Sequence, residues 1–312
     1  MIKYLGSRVG QAMIVLWAAF TASFVLLQAL PGDAILIKFM SPDFGLSPQQ
    51  LADIQASYGS NSPVYLQYLH TLGNFLAGNL GYSIDAGVPV SEIIVSNLPS
   101  TLKLALISFA AATLLASSVV VLSTFPRLSW LRSIWRSAPL LFAALPIFWL
   151  GIMMIQVFSF RLKLVDVISP GEWEALILPV ATLAVPISAP LAQILLRNID
   201  MVWTQPFVAV ARAKGASWQW VFWRHVAKNS LIPTLTIAGI LFGELLAGAV
   251  VTETVFGLQG IGVVTHKAVM AQDTPVLQAV VMLSATIFVL VTLVVDLLYP
   301  ILDPRLRSSP GA

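Results

Sequence analysis

Five basic side chains and three tryptophans lie between Val210 and Pro233, in "VARAKGASWQWVFWRHVAKNSLIP", without one acid. Arg212, Lys214, Arg224, His225 and Lys228 carry the charge, and Gly215 interrupts the run. Such a segment can grip a partner surface or anionic headgroups, but it holds no nucleophile and base for covalent chemistry. Reactive residues are sparse elsewhere too. The absence of cysteine excludes disulfides, thiolate zinc sites and cysteine nucleophiles. His70, His225 and His266 are scattered, and neither an H-E-x-x-H pair nor a G-x-x-x-x-G-K-[ST] phosphate loop occurs. No catalytic residue and no metal ligand is therefore assigned. One further group stands out. Glu244 lies deep in an apolar run, beside Gly243 and one turn before Gly248. A charge at that depth costs roughly 2.5–3.5 kcal/mol on insertion scales and usually faces a cavity or a partner. Glu244, Gly243 and Gly248 are thus candidates to line a path. The competing role for Glu244 is a protonated acid hydrogen-bonded across a helix interface.

The elements that position these residues are membrane helices. Of 312 residues, 58% are hydrophobic and only 10% charged, against about 25% charged in a soluble domain. The chain cannot cover itself with polar surface, and the expected class is an all-α membrane protein. A pI near 9.3 does not point to nucleic acid, because the excess is only +3 and is dispersed between apolar runs. A spanning helix needs about 20 apolar residues. Val9–Leu30, Leu104–Phe125, Ala138–Phe160, Ala175–Leu196, Leu231–Phe256 and Val276–Leu302 meet that, the fifth with Glu244 and Glu253, the last with Asp296. Val9–Leu30 follows Lys3 and Arg8 as a signal peptide would, but its apolar run is too long and no small-x-small site follows it. It is expected to remain as the first span. Pro146 in the third span, and Pro179, Pro186 and Pro190 in the fourth, are expected to kink their helices.

Six spans put both termini on one side. With that side cytoplasmic, it receives twelve basic residues: Lys3, Arg8, Arg127, Arg132, Arg136, Arg197, Arg212, Lys214, Arg224, Lys228, Arg305 and Arg307. The other side receives Lys38, Lys103, Arg161, Lys163 and Lys267, so the positive-inside rule favours cytoplasmic termini. The expected organisation is 1–30, a first segment and span; 31–101, a structured extracytoplasmic loop; 102–307, five further helices with a cytoplasmic segment at 197–230; and a tail, 308–312. The loop is too long to be structureless. A helix is expected from Ser47–Pro48 to Gly59, and another from Ser62–Pro63 to Gly78 with Tyr65, Tyr68, Leu69, Leu72, Phe75 and Leu76 on one face. Gly257, Gly260 and Gly262 follow a span and not a strand, so they read as a tight loop with positive φ and not a dinucleotide motif. In the cytoplasmic segment, Thr204 is expected to cap a short helix starting near Gln205 and Pro206. Gly215 ends it, and Ser217 caps a second helix to about Asn229, with Trp218, Val221, Phe222 and His225 on one face. By itself this is also the pattern of an amphipathic helix lying on the membrane surface.

The order of residues narrows the choice. "FVAVARAKGASWQWVFWRHVAKNSLIP" resembles the cytoplasmic EAA-type signature of ABC importer permeases, in the form found in the dipeptide/oligopeptide/nickel permease family. Ala211, Arg212, Ala213, Lys214, Gly215, His225, Asn229, Leu231 and Pro233 match it. "LPGDA", "GNLGYSI", "NLPSTLKLAL", "LPIFWLG", "LLAGAVVTETVFGLQGIG" and "VDLLYPILDPRLR" are similar to the same family in the same order. The chain departs from it at Pro206–Phe207, where an acidic–aromatic pair is usual, at Lys228 for Arg, and at Ala34 for Pro. The resemblance implies a type I importer permease fold in a bacterial or archaeal plasma membrane. It implies a coupling helix, with Ala211, Arg212, Ala213, Lys214, Gly215, Ala216 and Trp218 meeting a partner ATPase. The partners implied are a second, similar permease, two ATPase subunits, an extracytoplasmic substrate-binding protein and membrane lipids. No cofactor is expected in this chain, ATP and Mg being bound by the ATPase. The substrates implied are peptides, with nickel or a metal chelate as the alternative. A secondary transporter or channel would work without an ATPase and often shows an inverted repeat, and none is evident.

The topology is testable with single cysteines, since the chain has none. A cysteine at Ser41 should react with an impermeant maleimide added to intact cells, and one at Ser217 only after permeabilisation. Labelling of Ser217→Cys from outside would reverse the orientation.

Overall fold

The computed structural model describes residues 2–28, 63–125, 129–168 and 171–302. The expected helix after Ser47, the Ser62 cap, the "LPGDA" stretch and the tail 308–312 lie outside the described residues. Ten helices occur among those described: α1 (Ile2–Gln28), α2 (Val64–Leu76), α3 (Val90–Thr124), α4 (Ser129–Ala143), α5 (Ile147–Arg161), α6 (Glu174–Trp203), α7 (Pro206–Ala213), α8 (Trp218–Phe256), α9 (Ile261–Met270) and α10 (Thr274–Leu302). Stretches of α1, α3, α6, α8 and α10 are long and apolar enough to cross a membrane. The bent pair α4–α5 makes a sixth span if counted as one.

The kink expected at Pro146 is a full break, which divides the third span expected over Ala138–Phe160 into two helices. Leu145 precedes a proline and is disfavoured in α geometry. Pro146 is extended, at ψ 134°, and opens α5. The two halves meet at 103°. The expected kinks in the fourth span do not break it, because α6 continues through Pro179, Pro186 and Pro190. Its middle is enclosed, with Leu183, Thr182, Ser188 and Ala189 fully buried. The Thr182 and Ser188 hydroxyls donate back to the Leu178 and Val185 carbonyls at 2.8 and 2.7 Å, so polar atoms inside the packing remain satisfied. The connection expected between the last two spans contains a helix, α9. Of its glycines only Gly257 has positive φ, at 65°, where it ends α8. Gly260 is extended and Gly262 is helical.

Two compact units form, Met1–Pro99 with Gln259–Val289, and Ser100–Leu258 with Leu290–Ala312. The sequence-based division at 101 thus falls inside α3. In the first unit, Val90, Ile94, Ile261, Ala268, Val276 and Val280 build a core. Helix α2 lies on α1. The Tyr68 ring meets Phe20 and Phe24 edge-on at 5.7 and 5.4 Å, and Phe75 meets Phe20 at 5.7 Å. Tyr68 Oη and Thr21 Oγ1 share a 2.9 Å hydrogen bond. The expected α2 face is only partly used, since Tyr65, Leu69 and Leu76 are exposed. Buried Asp273 ties two loops together: Ser83 Oγ donates to its Oδ2 at 2.5 Å and the Asp85 amide at 3.1 Å.

In the second unit α6 packs against α4, α5 and α8. Glycines set the closest approaches. A Cβ on Gly248 would lie 3.1 Å from Ile147 and 3.2 Å from Leu183, and one on Gly239 would lie 3.0 Å from Val295. Phe109 and Phe242 meet edge-on at 5.4 Å. Arg136 of α4 pairs with Asp200 of α6. Lys103 pairs with Glu172 at 2.5 Å and sits over the Trp173 ring at 4.3 Å. Its hydrogen bond, reinforced by its charge, holds the Glu172 carboxyl below the usual carboxylate range.

Filling the glycine contacts should loosen the second unit. Gly248→Leu and Gly239→Leu should each cost about 1–3 kcal/mol, as overpacking does, and lower the melting temperature of the detergent-purified protein. Gly10→Leu, with nothing within 4 Å of its added carbon, should melt as the wild type does.

Candidate functional site

The basic segment opens with a sharp reversal. Thr204 closes α6, its hydroxyl donating to the Met201 carbonyl at 2.8 Å, and does not cap α7 as expected. Gln205 is extended and takes the N-cap position without a side-chain bond, and Pro206 follows at the first helical position. There its missing N–H costs nothing and its fixed φ suits the helix. Helix α7 ends in a Schellman turn. Gly215 has φ +87°, its amide donates to the Arg212 carbonyl at 3.0 Å, and the Ala216 amide donates to the Ala211 carbonyl at 3.2 Å. These two bonds satisfy carbonyls that a helix end otherwise leaves orphaned. Arg212 Nη1 adds a bond to the Ala216 carbonyl at 2.9 Å. Ser217 then caps the next helix as expected, accepting from the Trp220 amide at 3.2 Å.

The helix it caps does not stop near Asn229. It runs on as α8 to Phe256, with a π-helical turn over Phe222–Val226 and Pro233 inside it. The segment and the fifth span are therefore one rod. The end at Trp218 is fastened by aromatic packing. Trp218 stacks on Trp203 at 5.1 Å and on Phe222 at 5.8 Å, and Phe125 meets Trp218 edge-on at 4.9 Å. Val208, Val221, Phe222 and Val226 are buried in the same cluster with Val120, Leu196 and Ile199. Asn198 of α6 donates to Thr234 Oγ1 of α8 at 3.0 Å.

The seven residues expected to couple separate by burial. Ala211, Ala216 and Trp218 are partly buried in the cluster, while Arg212, Ala213, Lys214 and Gly215 are exposed. The exposed side of the turn is small in side chain and basic at two positions. A Cβ on Gly215 would meet nothing within 4 Å, so among the described residues that corner is open.

The path candidates separate too. Glu244 is exposed and Gly243 partly so. Gly248, one turn on from Glu244, is buried against Ile147 and Leu183, which makes it a packing residue at the edge of the face that carries Glu244. Gly239, Gly243 and Ala247, four residues apart, do not form one contact surface, since Gly239 packs on Val295 and Ala247 is exposed. Instead Thr236, Ile240, Glu244, Ala247, Val251 and Thr254 are exposed in series, at spacings of four, four, three, four and three, which is one face of a helix. Glu253, nine residues from Glu244, lies half a revolution away around the helix. It is fully buried and accepts from Thr101 Oγ1 at 2.6 Å. Thr101 lies in the "NLPSTLKLAL" stretch, but nothing in the pattern paired the two. Among the described residues no three His, Asp or Glu side chains come together as metal ligands.

The long apolar helices mark a multi-pass helical membrane protein. A solved structure described as an amino acid ABC transporter with histidines has the same fold, with a TM-score of 0.51 at 16% identity over 69% of this chain and 94% of that one. The chain belongs to the binding-protein-dependent transport system inner membrane component family, whose model matches residues 108–308, with a separate model of the family's N-terminal region matching residues 1–105. It is 34% identical to a protein described as a peptide transport system permease in Brucella abortus, over 96% of this chain and 97% of that one. It is 31% identical to the glutathione transport system permease protein of Escherichia coli K12, over 98% and 99%. The expected permease family and plasma-membrane location are thereby borne out. The chain is a transport component and not a catalytic subunit.

Trp218 should hold the segment in place. Trp218→Ala is expected to speed tryptic cleavage after Arg212 and Lys214 severalfold in the purified protein. Trp220→Ala, which removes an exposed ring, should leave the cleavage rate unchanged.

Proposed function

We propose that this chain forms half of the path of a peptide importer and transmits the work of partner ATPases through the turn at residues 211–218. The second half is a similar permease subunit, and an extracytoplasmic binding protein delivers the substrate. Both termini lie in the cytoplasm, where two ATPase subunits bind ATP and Mg; this chain carries no cofactor of its own. The names of its relatives, peptide and glutathione permeases, support a peptide or a related small solute as cargo, glutathione itself being a tripeptide. The observation that carries the coupling role is the exposed Arg212–Gly215 corner, locked by a Schellman turn onto an aromatic cluster. A docking helix needs small side chains for close approach and a fixed geometry for leverage, and this corner has both. Glu244 and Gly243 are assigned to the path. A lipid-facing stripe carries no carboxylate without cost, so the exposed face holding Glu244, Thr236 and Thr254 fits water or a partner subunit.

Gly215→Val forces a β-branched residue into the left-handed region, at a cost of about 1–2 kcal/mol, and adds bulk to the free corner. It should leave the spans inserted, weaken ATPase pull-down and uncouple substrate-stimulated hydrolysis from uptake in proteoliposomes. Gly215→Asn, a residue that tolerates this conformation, should recover part of the loss. Lys214→Glu should weaken docking most at low ionic strength, since exposed charges are screened by salt. Wild-type ATPase binding and uptake in Gly215→Val and Lys214→Glu alike would make the segment a plain interfacial connector.

A further inference from the structure

Two carboxylates on α8 have opposite fates. Glu253 is enclosed and hydrogen-bonded to Thr101. Glu244 is exposed on the opposite side and makes no hydrogen bond or ion pair among the described residues. Its face of the helix carries Thr236, Ile240, Ala247, Val251 and Thr254, and no second charge. The nearest basic residue along its own helix is Lys228, sixteen residues or about 24 Å away. In the same unit, Lys103 is paired with Glu172 and Arg136 with Asp200, so these two basic side chains are committed elsewhere. A lone negative group between low-dielectric walls attracts cations and repels anions.

Resting on the reading that this face lines the path, we infer that Glu244 makes the path select for positive charge at mid-membrane. It receives a cationic group of the passing solute, such as the free α-ammonium of a peptide. The hydroxyls of Thr236 and Thr254, about two or three turns away on either side, keep the face polar without competing for the charge. The recognition is a charge contact with a group common to all unblocked peptides, and it leaves side-chain identity unread.

The cysteine-free chain allows a direct test that needs no known substrate. Ala247→Cys and Val251→Cys, in the complete transporter in membrane vesicles, are reacted with the cationic reagent MTSET and the anionic reagent MTSES. Rates are normalised to those with 2-mercaptoethanol. The cation should be preferred about tenfold or more. The preference should vanish with Glu244→Gln and persist with Glu244→Asp. Equal normalised rates with Glu244 intact, or a preference that survives Glu244→Gln, overturns the inference. No reaction with either reagent at both positions places the face in lipid or a protein contact, and overturns the path assignment with it. Uptake of labelled trialanine by the unaltered transporter reports separately on the importer reading. Uptake without any charge preference at these cysteines removes only the inference about Glu244.

Discussion

Hydrocarbon offers no hydrogen-bond partner, so every polar group that enters it must be satisfied by the protein or by trapped water. The rest of this structure follows from that constraint. It explains why the spans are helices, and why hydroxyls inside them turn back to their own backbone, as Thr182, Ser230 and Thr252 do. It separates the prolines as well. Pro146 opens a helix where the chain turns and nothing is lost, whereas three prolines in α6 sit within a helix enclosed by α4, α5 and α8. Propensity and tertiary packing disagree over α6, and packing prevails.

The same constraint makes the two acids of α8 informative. Glu253 is accommodated by enclosure, with Thr101 donating from α3. Glu244 has no such arrangement among the described residues. In the proposed function, water, a solute or another subunit faces this exposed carboxylate. The glycines sharpen this. Gly239 and Gly248 bring α8 against α10 and against α5 and α6, leaving the face with Glu244 as the one not used for those contacts.

Because α8 is continuous from Trp218 to Phe256, the aromatic cluster and the face with Glu244 belong to one helix. Glu244 is 26 residues from Trp218, about 39 Å along the axis. In the proposed function, a pull on the Schellman turn reaches the path through backbone hydrogen bonds of a single helix, with the π-helical turn at Phe222–Val226 and Pro233 as the places where it can bend. The stacks of Trp218 on Trp203 and Phe222 keep the turn from moving independently of α6.

The sequence alone determined what depends on local chemistry and on order along the chain. Long apolar runs gave helices of spanning length, Gly215 and Ser217 marked the turn and its cap, and the run of motifs identified the family. These signals are short-range, since left-handed φ, caps and hydropathy are properties of a few neighbouring residues. What joins distant residues was not legible. Thr101 and Glu253 are 152 positions apart, and Ser83 and Asp273 are 190 apart. No local pattern pairs them. Nor could periodicity tell that Gly248 packs while Glu244 faces out, because both lie on the same apolar span and only the neighbours α5 and α6 distinguish its sides. The bend at Pro146 and the unbroken passage through Pro186 show the same division. A proline's effect on its own helix is set by geometry, but whether the helix survives it depends on what packs around it.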